Sequence, residues 1–117
     1  MDSSIWIGYL FYGQFIEEIE SEEPLFISSL SLFETKLKLL KKKIGQSEIK
    51  EKLEFIKNKS HIITPDEKIC ELASEISHEK NIPAIDSLIY ASAKENKLTL
   101  ITIDNDFRGL DNTIVLS

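Results

Sequence analysis

Cysteine is almost absent from this chain of 117 residues: Cys70 stands alone. No internal disulfide is possible, and no thiolate metal cage can be built from one chain; Cys70 is expected to be a buried bystander. Positive charge is also short, with 14 Lys and Arg against 20 Asp and Glu and a formal net charge of −6. Broad electrostatic attraction to nucleic acid is therefore excluded, because nonspecific phosphate binding depends on cationic contacts. Any such partner must be met locally. Gly and Pro are few, 4 and 3, in a composition that is 42% hydrophobic and 29% charged, which excludes a disordered or fibrous chain. No apolar run approaches the roughly 20 residues that span a bilayer, and the start lacks the basic-then-apolar order of a signal peptide. The expectation is a soluble, intracellular, cytoplasmic protein with no membrane contact.

What is present fits one domain, residues 1–117, with a core of two or three layers. Apolar residues at helical spacing (Ile5, Tyr9, Tyr12, Ile16, Ile19) predict a first helix over residues 4–20. "PLFISSL" predicts a buried strand over 25–27. Ser31 and Glu34 form a capping-box pattern that would open a lysine-rich helix stopped by Gly45. A helix from Ser47 to about Lys57 and a short strand "HIIT" follow. Thr64-Pro65-Asp66-Glu67 reads as a hydroxyl cap with proline at the first helical position, opening a helix to about Lys80. Another helix runs from about Pro83 to Asn96, then a strand over 98–103, and finally a strand "TIVLS". Strands that are unbroken apolar runs separated by helices predict an α/β fold, a mainly parallel sheet covered on both faces.

In such a sheet ligands bind beyond the carboxyl ends of the strands. Asp104 lies just past its strand, Glu34 in the early turns of the helix after strand 25–27, and Asp86 one turn into its helix. Asp86 is the most telling. It shares a stripe with Ile82, Ile89 and Ala93, with no Lys or Arg within a turn. An unpaired anion there costs several kcal/mol or takes up a proton unless a cation meets it. A divalent metal shared among carboxylates removes that cost. Asp2, ahead of Ser3 and Ser4 at a helix start, completes the set. Each residue also has a plain local role: Asp2 or Ser3 as a helix cap, Glu34 as the far half of the capping box, Asp104 and Asp106 as turn residues. The convergence of all four at one edge argues for a site.

Other patterns fail. "DNDFRG" starts like a calcium loop, but Arg108 and Val115 stand where oxygen ligands are required. His61 and His78 lack zinc-type spacing and read as a strand-start and a helix-surface residue. A receiver-like signalling domain with an acidic pocket would need a lysine at a strand terminus. Lys36, Lys38, Lys41, Lys42 and Lys43 crowd one stretch, either a solvated helix face or the one cationic surface on offer.

Together, "DSSIWIGYL", Glu34 in "SLFETKLKL", Asp86 in "IPAIDSLIYASAKENKLTLIT" and Asp104 in "TIDNDF" resemble a PIN-domain ribonuclease, most like the VapC-type toxins of toxin-antitoxin pairs. The resemblance covers essentially the whole chain. It implies a three-layer α/β/α fold and a cluster of Asp2, Glu34, Asp86 and Asp104 around Mg2+ or Mn2+. It further implies hydroxyls near the site at Ser4 and Thr102, a less regular acidic position at Asp106, an RNA substrate, a homodimer and an antitoxin partner. Lys36, Lys38 and Arg108 would supply cationic contacts at the rim. The alternative is a catalytically inactive PIN-like module that only binds a partner. The family's first strand precedes the residue matched to Asp2, and here only Met1 does. A sheet with its first strand missing or truncated is therefore expected.

Overall fold

Asp2 is extended, at φ −74° and ψ 160°, and the chain then turns into helix α1 (Ser3–Tyr12). The computed structural model describes residues 1–116. The helix expected over 4–20 is in fact two. Gly13 takes the left-handed region at φ 61° and closes α1, Phe15 follows it there at φ 58°, and α2 (Ile16–Glu20) begins afresh. This fold-back presses the Phe15 ring on the first helix, where a Cβ on Gly8 would lie 2.6 Å from it. A side chain at position 8 would push the ring away.

The chain continues through β1 (Leu25–Ser28), α3 (Ser29–Lys41), α4 (Gln46–Lys59) and β2 (Ser60–Ile63). It ends with α5 (Glu67–Lys80), α6 (Ala84–Glu95), β3 (Leu100–Thr102), a single 3-10 turn over Asn105–Phe107 and β4 (Thr113–Val115). Of the expected last strand, Ser117 lies outside the described residues. Two caps differ from expectation. Ser28, not Ser31, caps α3 by accepting from the Leu30 amide at 3.2 Å, so no capping box forms and the Ser31 hydroxyl is buried without a partner. Asp66, not Thr64, caps α5 by accepting from the Ile69 amide at 2.9 Å, since a carboxylate accepts more strongly than a hydroxyl.

All strand pairing is parallel, as expected. Leu25 faces Ser60 in the β1–β2 pair, and Leu100 faces Thr113 in the β3–β4 pair. These are two separate two-stranded sheets. Met1 and Asp2 bridge them. The Met1 ammonium donates to the Phe26 carbonyl at 2.8 Å on one side, and the Asp2 amide donates to the Ile101 carbonyl at 2.9 Å on the other. The core is divided in the same way. Ile5, Trp6, Ile19, Leu25, Ile27 and Ile56 form one apolar cluster, and a second gathers residues of α5 and α6 with Leu100 and Phe107.

Cys70 is exposed on α5, a correction to the buried role expected of it. His78 is exposed on α5 as expected, and His61 is exposed on β2 with its ring 5.2 Å from that of Phe26. Among the described residues no helix is long and apolar enough to cross a membrane.

Candidate functional site

The first turns of α1, α3 and α6 and the turn after β3 converge on the carboxyl edge of the strands. Asp104 lies two residues past the end of β3 and Glu34 in the second turn of the helix that follows β1, so the strand ends carry both to that edge. There the structure places Asp2, Glu34, Asp86 and Asp104 as one group: burial, then Asp104, Glu34, Asp2 and Asp106, push the Asp86 carboxyl up to about 6. None of the ion pairs among the described residues involves Asp86. Its stripe-mates Ile82, Ile89 and Ala93 are buried while it is half-buried.

Within this group the tightest three are Asp86, Asp104 and Asp106, each offering a carboxylate oxygen within 4.8 Å of the others. Asp106 is therefore more central than the sequence indicated. It is set there by Asp104, whose Oδ1 accepts from the Asp106 amide at 2.9 Å to open the 3-10 turn. The turn role of Asp104 and its place in the cluster are thus one geometry.

Asp2 is held differently. It is 4% exposed and makes no side-chain cap to its own helix. Its Oδ2 instead accepts from the Ser4 and Thr102 hydroxyls, both at 2.8 Å. Those hydroxyls lie 3.3 Å apart and serve others in turn: Ser4 Oγ accepts from the Ile103 amide at 3.2 Å and Thr102 Oγ1 from the Asp104 amide at 3.0 Å. One hydroxyl pair thereby ties the start of α1 to the turn that carries Asp104.

Glu34, freed from the capping box, accepts from the Ser3 hydroxyl at 3.3 Å. Burial first, then the charge of Asp2, push its carboxyl up, with Lys38 opposing. Lys38 Nζ donates to the same Ser3 hydroxyl at 3.3 Å. Ser3 is the member that sequence reading missed as a site residue; a hydroxyl next to a candidate ligand at a helix start was the available signal.

Of the remaining candidates, Lys36 lies apart from the group, whereas Arg108 flanks the turn that carries Asp106. Lys36 lines a cavity of about 370 Å³ with Leu32, Phe33, Leu37, Leu40 and Leu53, away from the carboxylates. Arg108 closes the 3-10 turn by donating to Asn105 Oδ1 at 2.9 Å and 3.1 Å. Lys42 sits 5.0 Å above the Phe11 ring, so the lysine stretch is spread over several surfaces.

Chemically, the edge offers only oxygen donors, and two of its carboxyls are already displaced toward the protonated form. Such a set suits hard cations of the Mg2+ or Mn2+ class better than zinc. A cation would relieve the repulsion that raises Asp86.

Among solved structures, the chain resembles a toxin-antitoxin complex from Klebsiella pneumoniae with a TM-score of 0.81 and 24% identity, over 97% of this chain and 93% of that one. It also resembles VapBC2 from Rickettsia felis, bound to a DNA fragment from its promoter, with a TM-score of 0.74 and 22% identity, over the same 97% and 93%. No curated protein sequence matches. At these identities the likenesses establish a shared fold. The model of the PIN domain family, in contrast, matches residues 1–112, the span that carries every carboxylate of the edge, and the chain therefore belongs to the PIN domain family.

Proposed function

We propose that the protein is a metal-dependent endoribonuclease that hydrolyses RNA phosphodiester bonds and serves as the toxin of a toxin-antitoxin pair. The observation that carries this reading is Asp86, half-buried, raised to about 6 and lying within 4.8 Å of Asp104 and Asp106 with no protein cation in an ion pair with it. Bound at this edge, Mg2+ or Mn2+ would lower the pKa of a water and offset charge on the departing oxygen.

The chain's own residues supply the rest. Asp86, Asp104 and Asp106 would hold the cation, and Asp2 presents a carboxylate whose direction is set by Ser4 and Thr102. Glu34, its carboxyl raised by burial and by Asp2, would be the base that accepts a proton from the attacking water. Lys38, beside Ser3, contacts a backbone phosphate. Without a cation the cluster repels RNA, so loading precedes substrate binding.

The groove between α3 and α4, with Phe33 59%, Leu37 38% and Leu40 52% exposed, supports a protein partner there, the antitoxin. A homodimer completes the assembly. The test compares cleavage of a short RNA by wild type with Mn2+, by wild type with chelator, and by Asp86→Asn with Mn2+. Loss of about 100-fold in the second and third arms is expected. Equal rates in all three would leave a catalytically inactive partner-binding module.

A further inference from the structure

β3 and β4 pair in parallel, yet only residues 103–112 join them. The connection of a parallel pair must travel back along the strands, usually as a helix; here a single 3-10 turn, Asn105–Phe107, and irregular chain do so. This return leaves the carboxyl edge at Asp104 and Asp106 and ends at Asp111, just ahead of β4 at the other end of the strands.

The return meets α6 at three places. Asp104 and Asp106 face Asp86, in the first turn of α6. Phe107, fully buried, packs in one apolar cluster with Ile89, Tyr90 and Ala93. Asp111 meets Tyr90, one turn beyond Asp86 on the same helix face. The three contacts differ in kind. The first is a repulsion among carboxylates, and the second is apolar and without direction.

Only the third is directional. The Tyr90 hydroxyl donates to the Asp111 carboxylate and, at 3.0 Å, to the Asp111 carbonyl. Lys94 donates to the same carboxylate at 3.4 Å and 3.5 Å, and its ammonium lies 5.8 Å from the Tyr90 ring centre. Tyr90 is the one aromatic residue of α6 and is fully buried, so its hydroxyl needs a partner; among the described residues Asp111 alone provides it. Burial, then Asp111, raise the Tyr90 phenol above its usual range, and the Tyr90 hydroxyl, then Lys94, hold the Asp111 carboxyl below its own. The donor therefore stays protonated and the acceptor stays charged.

We infer that Tyr90 and Asp111 are positioning residues for the carboxylate site: their hydrogen bond fixes the return along α6 and so sets Asp104 and Asp106 at cation-binding distance from Asp86. The inference rests on the reading that these three carboxylates hold a cation. Neither Tyr90 nor Asp111 touches the ion. Without their bond, Phe107 alone would hold the return on α6, and repulsion would swing Asp104 and Asp106 away from Asp86. A cation then has to gather its ligands as well as bind them, which weakens its hold.

The experiment measures Mn2+ binding by isothermal titration and, on the metal-free protein, amide exchange at Asp106, Phe107 and Arg108, whose N–H groups bond within the turn. Tyr90→Phe keeps the ring in the core and removes the donor. Asp111→Ala removes the acceptor from the exposed side of the same bond, so the contact is tested even where the first variant folds poorly. Each should weaken Mn2+ binding about 10-fold and quicken exchange at the three amides roughly threefold or more. The two together should weaken binding no more than either alone, since both remove one bond. Asp111→Asn, which keeps an acceptor oxygen for Tyr90, should stay within about twofold of wild type. Ile56→Val, in the other apolar cluster, should lower Tm and leave the affinity unchanged. An equal loss of affinity in Ile56→Val, or additive losses in the double variant, would overturn the inference. A wild type that takes up no Mn2+ would fell the reading of the carboxylates and this inference with it, whereas a wild type that binds Mn2+ and variants that bind it equally well would overturn the inference alone.

Discussion

At the carboxyl edge of the strands, Asp86 is pushed up to about 6 by burial and by four neighbouring carboxylates. At the opposite end of the same short segment, the Met1 ammonium is pushed down to about 6 by burial, which Asp2 only partly offsets. Both groups hold a charge that burial disfavours. The first edge is closed by hydrogen bonds, with Asp2, Ser4, Thr102 and Asp104 in one network, and its discomfort is an excess of negative charge that a cation would remove. The second edge is open to a cavity lined by Leu25, Ile27 and Leu100, and its discomfort is a buried positive charge. Burial thus displaces two groups of opposite charge in opposite directions, each within reach of the Asp2 charge.

The contrast can be broken at its closed edge most sharply. Thr102→Val should lower Mn2+ affinity and RNA cleavage about 10- to 100-fold, because Asp2 loses one of its two hydroxyl donors; isothermal titration and a cleavage assay read this. An unchanged affinity would detach Asp2 from the cation.

Next in size is an effect on the protein freed of metal by chelator. A carboxyl raised from 3.8 to about 6 in the fold binds its proton longer in the native state than in the unfolded one. Its contribution is fully present below pH 3.8 and is lost as pH rises through 6. Asp86→Asn should therefore melt about 4 °C or more above wild type at pH 7.5, a figure reduced by solvent screening of a half-buried group, and show no advantage at pH 3.5. Added Mn2+ should narrow the gap by stabilising the wild type.

A smaller effect of opposite sign belongs to the open edge. An amine lowered from 8.0 to about 6 gives up its proton earlier in the native state, so its contribution is full above pH 8 and is lost as pH falls through 6. Acetylating the Met1 amine should raise Tm by about 2 °C at pH 6 and leave it unchanged at pH 9. The smallest effect falls to Lys38→Met, about 2- to 5-fold in KM for RNA, with kcat little changed.

The order of helices and parallel strands was legible because each strand is an unbroken apolar run and each helix keeps its periodicity. Asp86 was legible for a related reason: a carboxylate on a stripe of Ile82, Ile89 and Ala93 contradicts its surroundings. What escaped was decided by competition between near-equal local partners. Ser28 and Ser31 both resemble the cap of α3, and Ser28 prevails because it lies at the end of β1, which frees Glu34 for Ser3. Gly13 was readable as a helix stop, yet the apolar spacing runs through it to Ile19, and only the Phe15 ring packed on Gly8 resolves the break. Asp106 drew less notice than its place merits, because its position depends on a turn made by Asp104 rather than on any period.

Asp2 belongs to both edges at once. Its amide is fastened to Ile101 and its carboxylate to the hydroxyls beside Asp104, so one residue transmits any change in order from either side to the other. Linkage is reciprocal in free energy. Ordering the backbone behind Asp2 would tighten the grip on an ion in front of it, and an ion held in front would in turn quieten the backbone behind.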